Sequence, residues 1–198
     1  MLTDVEFIDP FPKTFQILKC QVDLPHEEIA QWCRDMLAGF NGDYTSYFWL
    51  ELNDHKLKNR ADWYPRFEEL MIQGAEMFLS NIGVEVEPER HRKFGAWWSV
   101  YKEGDRHTTH NHPKALVAGT YYPHASPTAT KIRYRSPMAP IITMSELRNE
   151  GSQLYDVKPT TGMANFWSPW LDHEILPQGP VEEGDERVAI SFNYGRFS

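Results

Sequence analysis

From about residue 94 onward the chain breaks into short apolar or alternating runs rich in β-formers and separated by Gly and Pro. These runs are Gly95 to Tyr101, Ala115 to Tyr122, Thr130 to Tyr134, Gly162 to Trp167, His173 to Leu176 and Arg187 to Asn193. Short strands at such spacing are the pattern of a sandwich or barrel, in which facing sheets close one core. The stretch before them, residues 24–82, has a different period. In Leu24 to Leu37, the apolar positions Ile29, Trp32, Cys33, Met36 and Leu37 follow helical spacing, and Pro25 suits a first turn. A second such segment begins near Asp62 to Pro65, carries Phe67, Leu70, Met71, Ala75 and Phe78 at three- and four-residue steps, and ends by Asn81-Ile82-Gly83. Their Met and aromatic stripes read as core, so the two helices are expected to cover a sheet. Met1 to Val22 also looks extended and is a further candidate strand. The expected architecture is α+β, mainly β.

A length of 198 residues fits one domain, residues 1–198, with helical support over 24–82 and a β core over about 94–195. A domain of this size needs no disulfide or metal staple merely to fold. Two cysteines, Cys20 and Cys33, make no disulfide framework, which points to a reducing, cytoplasmic setting. No uncharged apolar run approaches the roughly 20 residues needed to span a bilayer, and the start of the chain is acidic where a signal peptide is basic. A soluble chain is expected. Its formal net charge of −8 disfavours a broad electrostatic grip on nucleic acid, which depends on clustered Lys and Arg. No repeat or low-complexity tract appears.

Four of the eight histidines, His107, His110, His112 and His124, fall close together. In a strand, residues two apart face the same way and lie roughly 6.6 Å apart, so a His110-Asn111-His112 strand aims two imidazoles at one point. Metal–nitrogen bonds of about 2.0 to 2.1 Å are within reach of both rings. The pair lies between a Gly104-Asp105 turn and an apolar strand, a usual place for ligands at a barrel mouth. A third ligand must come from elsewhere, and His173, at the start of an expected strand, is the obvious candidate.

Tyr101-Lys102-Glu103-Gly104-Asp105-Arg106-His107-Thr108-Thr109-His110-Asn111-His112-Pro113, followed by Ala118-Gly119-Thr120-Tyr121-Tyr122, resembles the Fe(II)- and 2-oxoglutarate-dependent oxygenases, in particular a bacterial and phage branch related to prolyl hydroxylases. The resemblance continues through Phe166 to His173 and Glu186 to Asn193, covering roughly residues 94 to 195. It implies a double-stranded β-helix, the jelly-roll, cupin-like core, in which a His-x-Asp or His-x-Glu pair and a distant His hold iron. Carried over by position, His110 matches the first ligand, His173 the distant one, and Arg187 the anchor for the far carboxylate of 2-oxoglutarate. Tyr101 and Tyr122 match tyrosines that border the co-substrate. The implied activity is a dioxygenase, by default a hydroxylase, that consumes dioxygen and 2-oxoglutarate and releases succinate and CO2.

Strand parity bears on Arg187 separately. If it faces inward, Ala189, Ser191 and Asn193 share its face while Val188, Ile190 and Phe192 pack on the other. A buried guanidinium needs a partner, and a dicarboxylate supplies one through a two-pronged contact, helped by the Ser191 hydroxyl. The competing reading is an ion pair with an acidic residue of Val181 to Glu186.

The chain departs from the family pattern at His112, which stands where a carboxylate is usual. Either three histidines form the ligand set, which is the favoured reading, or His110 and His173 bind alone with His112 beside them. Asp172 and Glu174 are expected to face away, and Asp105 lies in a turn. Imidazole suits zinc, copper, nickel and iron alike, so iron is implied by the resemblance alone. His107 is expected at the pocket wall and His124 in a loop. Trp97, Trp98, Trp167 and Trp170 are expected chiefly in the core. The alternatives are a cupin-type dioxygenase with a three-histidine site, which fits Gly104 and the His-x-His pair but lacks the following Glu, and a non-enzymatic metal-binding module, which has no use for Arg187. The expected partner is a small-molecule or peptide substrate; the sequence does not specify which, nor the oligomeric state.

Overall fold

The computed structural model describes residues 15–38, 61–85, 87, 93–137 and 153–195. Nine strands and two helices lie among them: β1 (Ile17–Gln21), α1 (His26–Ala38), α2 (Tyr64–Asn81), β2 (Phe94–Tyr101), β3 (His107–His110), β4 (Val117–His124), β5 (Ile132–Arg135), β6 (Leu154–Val157), β7 (Met163–Trp167), β8 (His173–Ile175) and β9 (Arg187–Tyr194). A five-stranded sheet in the order β1-β7-β4-β9-β2 faces a four-stranded sheet in the order β3-β8-β5-β6, and the pairings are antiparallel throughout. This is the double-stranded β-helix expected from the sequence.

The larger sheet is buried on both faces, and strand parity sorts its side chains into two cores. Val188, Ile190, Phe192 and Tyr194 of β9 join Trp98, Tyr121 and Phe166 under the helices. Ala189 of the same strand joins Tyr101, Ala118, Tyr122, Met163 and Trp167 between the sheets. The helices cover the outer face as expected: α1 buries Ile29, Ala30 and Cys33, and α2 buries Phe67, Met71, Ala75 and Phe78. Pro65 sits in the first turn of α2, where its missing N–H costs nothing. Gly74 allows the close approach of α2 to the sheet, and Gly119 leaves room on β4 for an aromatic ring of the neighbouring strand. A Cβ on Gly74 would lie 2.2 Å from the Phe166 ring, and one on Gly119 would lie 2.2 Å from the Phe192 ring.

β6 was not among the expected strands, and the strand expected through His110-Asn111-His112 is β3, which spans His107–His110 instead. His107-Thr108-Thr109-His110 has no apolar alternation, and Leu154-Tyr155-Asp156-Val157 is an edge strand with Leu154 and Tyr155 exposed, so neither carries the pattern of a half-buried strand. The candidate strand in Met1 to Val22 is β1; residues 1–14 lie outside the described residues. Cys20 and Cys33 are unpaired thiols. Among the described residues no helix is long and apolar enough to cross a membrane.

Candidate metal centre

β3 and β8 run side by side with His110 directly opposite His173, which sets their ring centroids 4.3 Å apart. His112 arrives differently from the expectation. Strand β3 ends at His110, so His110 and His112 do not share a strand face. His112 lies in the turn that follows, fixed by its own N–H donating to the Pro169 carbonyl (2.7 Å) and by Ala115 N–H donating to its carbonyl (3.0 Å). The turn delivers the ring to the same place: Nε2 of His112 is 3.3 Å from Nε2 of His173. Two nitrogens each about 2.1 Å from one metal, at right-angled to tetrahedral geometry, stand roughly 3.0 to 3.4 Å apart. One ligand atom from each of His110, His112 and His173 lies within 4.8 Å of the others.

The tautomers suit coordination. His110 Nδ1 is 2.8 Å from the Thr108 carbonyl, and His173 Nδ1 is 3.0 Å from the Leu171 carbonyl. A carbonyl only accepts, so each Nδ1 carries the proton and each Nε2 keeps its lone pair, the arrangement by which metal-binding imidazoles are oriented. Burial holds all the rings neutral. It lowers the His173 pKa to about 3, with His110 adding to the effect, and lowers His112 to about 4, helped by His110 and His107. Burial also lowers His110, against the opposing pull of the Thr108 carbonyl and the Asp172 carboxylate.

The nearby carboxylates are engaged elsewhere, as the parity of β8 requires. Asp172 accepts from Asn111 Nδ2 (2.8 Å), Glu174 accepts from Arg135 (2.7 Å) and Thr109 (3.1 Å), and Asp105 accepts from the Lys102 N–H (2.8 Å). His107 begins β3 with its ring centroid 3.8 Å from that of His110, and burial lowers its pKa to about 4. His124 is not in a loop: it ends β4 and faces Asp185 at 3.3 Å, because β4 runs two residues past Tyr122.

One cavity is bordered both by the histidines and by Arg187. His107, His110, His112 and His173 line one part, and Tyr101 and Arg187 another, with Trp97, Ser99, Thr120, Trp167, Ala189 and Ser191 among the rest. Arg187 is the first residue of β9, 1% exposed, and lies opposite Tyr101 in register. Its guanidinium carbon is 4.6 Å from the centre of the Tyr101 ring and 5.1 Å from that of Tyr122, and Nη2 donates to the Tyr122 hydroxyl at 3.5 Å. Among the described residues Nε and Nη1 have no hydrogen-bond partner. Among the described residues the competing ion pair is not made: Glu186 faces Arg34 (3.4 Å), Asp185 faces His124, and Glu182 and Glu183 are exposed while Arg187 is buried.

The two tyrosines differ. Tyr101 lines the cavity, whereas Tyr122 packs the guanidinium without lining it. Ser191 is on the cavity wall, but its hydroxyl pairs with Thr120 (3.2 Å) rather than with Arg187. Thr120 and Ser99 were missed in the sequence. Parity gives the signal that finds them, because Trp97, Ser99 and Tyr101 alternate on β2 and Ala118, Thr120 and Tyr122 on β4. Of the tryptophans, Trp97 and Trp167 line the cavity, Trp98 lies under the helices, and Trp170 is 40% exposed against Phe15.

A buried cation with two donors unpartnered among the described residues shares one cavity with three neutral imidazoles, two of them with their Nε2 lone pairs free, a donor set that suits a metal ion together with an anion. The family model described as "Putative 2OG-Fe(II) oxygenase" matches residues 95–193, half of the chain. Among solved structures, the chain is similar to a Pseudomonas putida prolyl-4-hydroxylase, with a TM-score of 0.64 at 15% identity over 93% of this chain and 90% of that one. It is similar to a prolyl hydroxylase from Trichoplax adhaerens in complex with a hypoxia inducible factor peptide fragment, with a TM-score of 0.60 at 10% identity over 92% and 84%. HygX from Streptomyces hygroscopicus with nickel and 2-oxoglutarate bound gives 0.58 at 12% identity over 92% and 83%. At these identities the likeness is one of fold. No curated protein matches the chain in sequence.

Proposed function

Because the chain belongs to the 2OG-Fe(II) oxygenase family, we propose that His110, His112 and His173 hold its Fe(II), that Arg187 anchors 2-oxoglutarate, and that the prime substrate is hydroxylated. The observation that carries this reading is the Arg187 guanidinium, buried with Nε and Nη1 unpartnered among the described residues, on the cavity that the three histidines also line. Iron, with dioxygen and 2-oxoglutarate, supplies the oxidative chemistry, the co-substrate ending as succinate and CO2.

The chain's own residues bind and orient. Three neutral imidazoles leave the full 2+ charge on the metal, where a carboxylate ligand would leave 1+. With the positive charge of Arg187 on the same cavity, the site complements the charge of a dianion such as 2-oxoglutarate. The rings of Tyr101 and Tyr122 and the Tyr122 hydroxyl pack against the guanidinium, so its other donors are presented without a search through rotamers. Ser191, joined to Thr120 on the wall, offers a polar surface along the way. Trp97 and Trp167 keep the rest of the cavity apolar, which excludes water from a reactive centre. The prime substrate is a small molecule or a peptide; the Trichoplax enzyme's peptide makes the second class a reasonable first screen.

A cupin-type dioxygenase shares the fold but gives Arg187 no task, and the same is true of a metal-binding module. The deciding experiment is an anaerobic titration with Fe(II) and then 2-oxoglutarate, followed by a succinate assay on adding oxygen. The expected result is metal-dependent binding of 2-oxoglutarate and succinate formation. A protein that binds the metal but not 2-oxoglutarate overturns the proposal.

A further inference from the structure

The solvent face of β3 and β8 repeats, in side chains, the pairing that the inner face makes with imidazoles. His110 and His173 oppose each other and line the cavity, while of the residues beside them Thr109, Asn111 and Asp172 are exposed and Glu174 is half-buried. Each residue beside His110 is bonded to one beside His173: Thr109 Oγ1 donates to Glu174 Oε2 (3.1 Å), and Asn111 Nδ2 donates to Asp172 Oδ1 (2.8 Å). Arg135 of β5 ties the first link down, donating from Nη2 to Glu174 (2.7 Å) and from Nε to Thr109 (3.3 Å).

The backbone alone is a poor device for fixing the ligand spacing here. β3 is four residues long, it is an edge strand, and its pairing with β8 is irregular between His107 and His110. An edge strand with a bulge is where register is least constrained. Asn111 also sits between two candidate ligands, so its link to Asp172 restrains the exit of β3 toward His112. We propose that the Asn111–Asp172 and Thr109–Glu174 hydrogen bonds form a positioning clamp that holds His110 and His112 at metal-binding distance from His173. None of the four side chains touches the metal. The proposal rests on the three-histidine reading of the centre and adds to it what sets the spacing of the ligands.

The test uses the full chain and Co(II) alone, titrated without oxygen and followed by its visible d–d absorption, with thermal melts of each metal-free protein alongside. Loss of a group that orients metal ligands typically weakens metal binding by about 10- to 100-fold, and Asn111→Ala and Asp172→Ala are each expected to raise the Co(II) Kd by about tenfold and to alter the visible band. The exchanged double variant Asn111→Asp/Asp172→Asn places donor and acceptor the other way round across the same gap, and it is expected to recover most of the lost affinity and the wild-type band. If Asn111→Ala does not fold, Thr109→Val, which removes one hydroxyl at constant shape, serves with the same expected direction. Single variants that melt lower but keep the wild-type Kd and band reduce the links to ordinary fold stabilisation and overturn the proposal, as does an exchanged variant no better than the singles. A wild-type chain that fails to take up Co(II) at all instead sinks the three-histidine reading beneath it.

Discussion

Arg187 owes its surroundings partly to its place on a strand and partly to residues far from it in the chain. Parity along Arg187-Val188-Ala189-Ile190-Ser191-Phe192-Asn193 separates its face from the apolar one, and the observed division of β9 between two cores follows that line. What parity could not supply is the fate of the nearby acids, which depends on Arg34 of α1 and His124 of β4 reaching the same loop. Arg187→Met tests the residue from two sides. It is expected to raise the 2-oxoglutarate Kd by about 100-fold, the loss of one strong charge-assisted contact of about 2.7 kcal/mol. The metal-free fold should be at least as stable, because an apolar side chain replaces a buried charge with unused donors. Calorimetric binding and a thermal melt on the same sample check both. His112 poses the sharper question. As a ligand, its replacement in His112→Ala should weaken metal binding by more than the roughly 10- to 100-fold typical of losing a group outside the ligand set. Metal content after dialysis reads this directly, and near-normal occupancy would remove His112 from the set.

Among the elements, β4 bears the tightest geometric demand. It lies between β7 and β9, and Gly119 stands opposite Phe166 on one side and Phe192 on the other. A Cβ there would lie 2.2 Å from the Phe192 ring and 2.7 Å from the Asn165 carbonyl, and the carbonyl belongs to a paired strand that cannot shift without opening the ladder. Gly119→Ala should therefore cost about 1 to 3 kcal/mol, in the range of an overpacked core, read as a lower urea midpoint. An unchanged midpoint would mean that the aromatic layer under the helices yields more easily than these distances imply. The helices and the apolar strands were legible because their periods are unbroken. The bounds of β3 were not, because Thr108 and Thr109 separate two histidines that carry no hydrophobic signal; where the strand starts and stops is decided by its pairing with β8.

At the scale of the molecule, the cluster of neutral imidazoles ties stability to pH. An imidazole in the unfolded chain titrates near pH 6.5, whereas His107 and His112 stay neutral to about 4 and His173 to about 3 in the folded metal-free protein, mainly through burial. Between these limits the unfolded chain binds more protons than the folded one, so stability rises with pH across the window and falls as acid is added. The metal-free protein should melt at steadily lower temperature from pH 7 to pH 5. A variant with Gln at all three positions should show a flatter profile, which separates the histidines from the carboxylates. Equal slopes would place the acid sensitivity elsewhere.

By itself the sequence determined the two periods, and with them the helices, the strand-rich core and the polarity of each strand face, because these depend only on side-chain spacing along the chain. It also marked His110, His173 and Arg187, since their order and separation carry the family resemblance. The tertiary structure decided what depends on contacts between distant segments. It moved His112 off the strand and onto a turn held by Pro169, freed Arg187 by engaging its acidic neighbours elsewhere, and linked the residues beside one ligand to those beside another. A hydrogen bond spanning 61 positions leaves no periodic trace in the chain, because its partners are neighbours only after the sheet has formed.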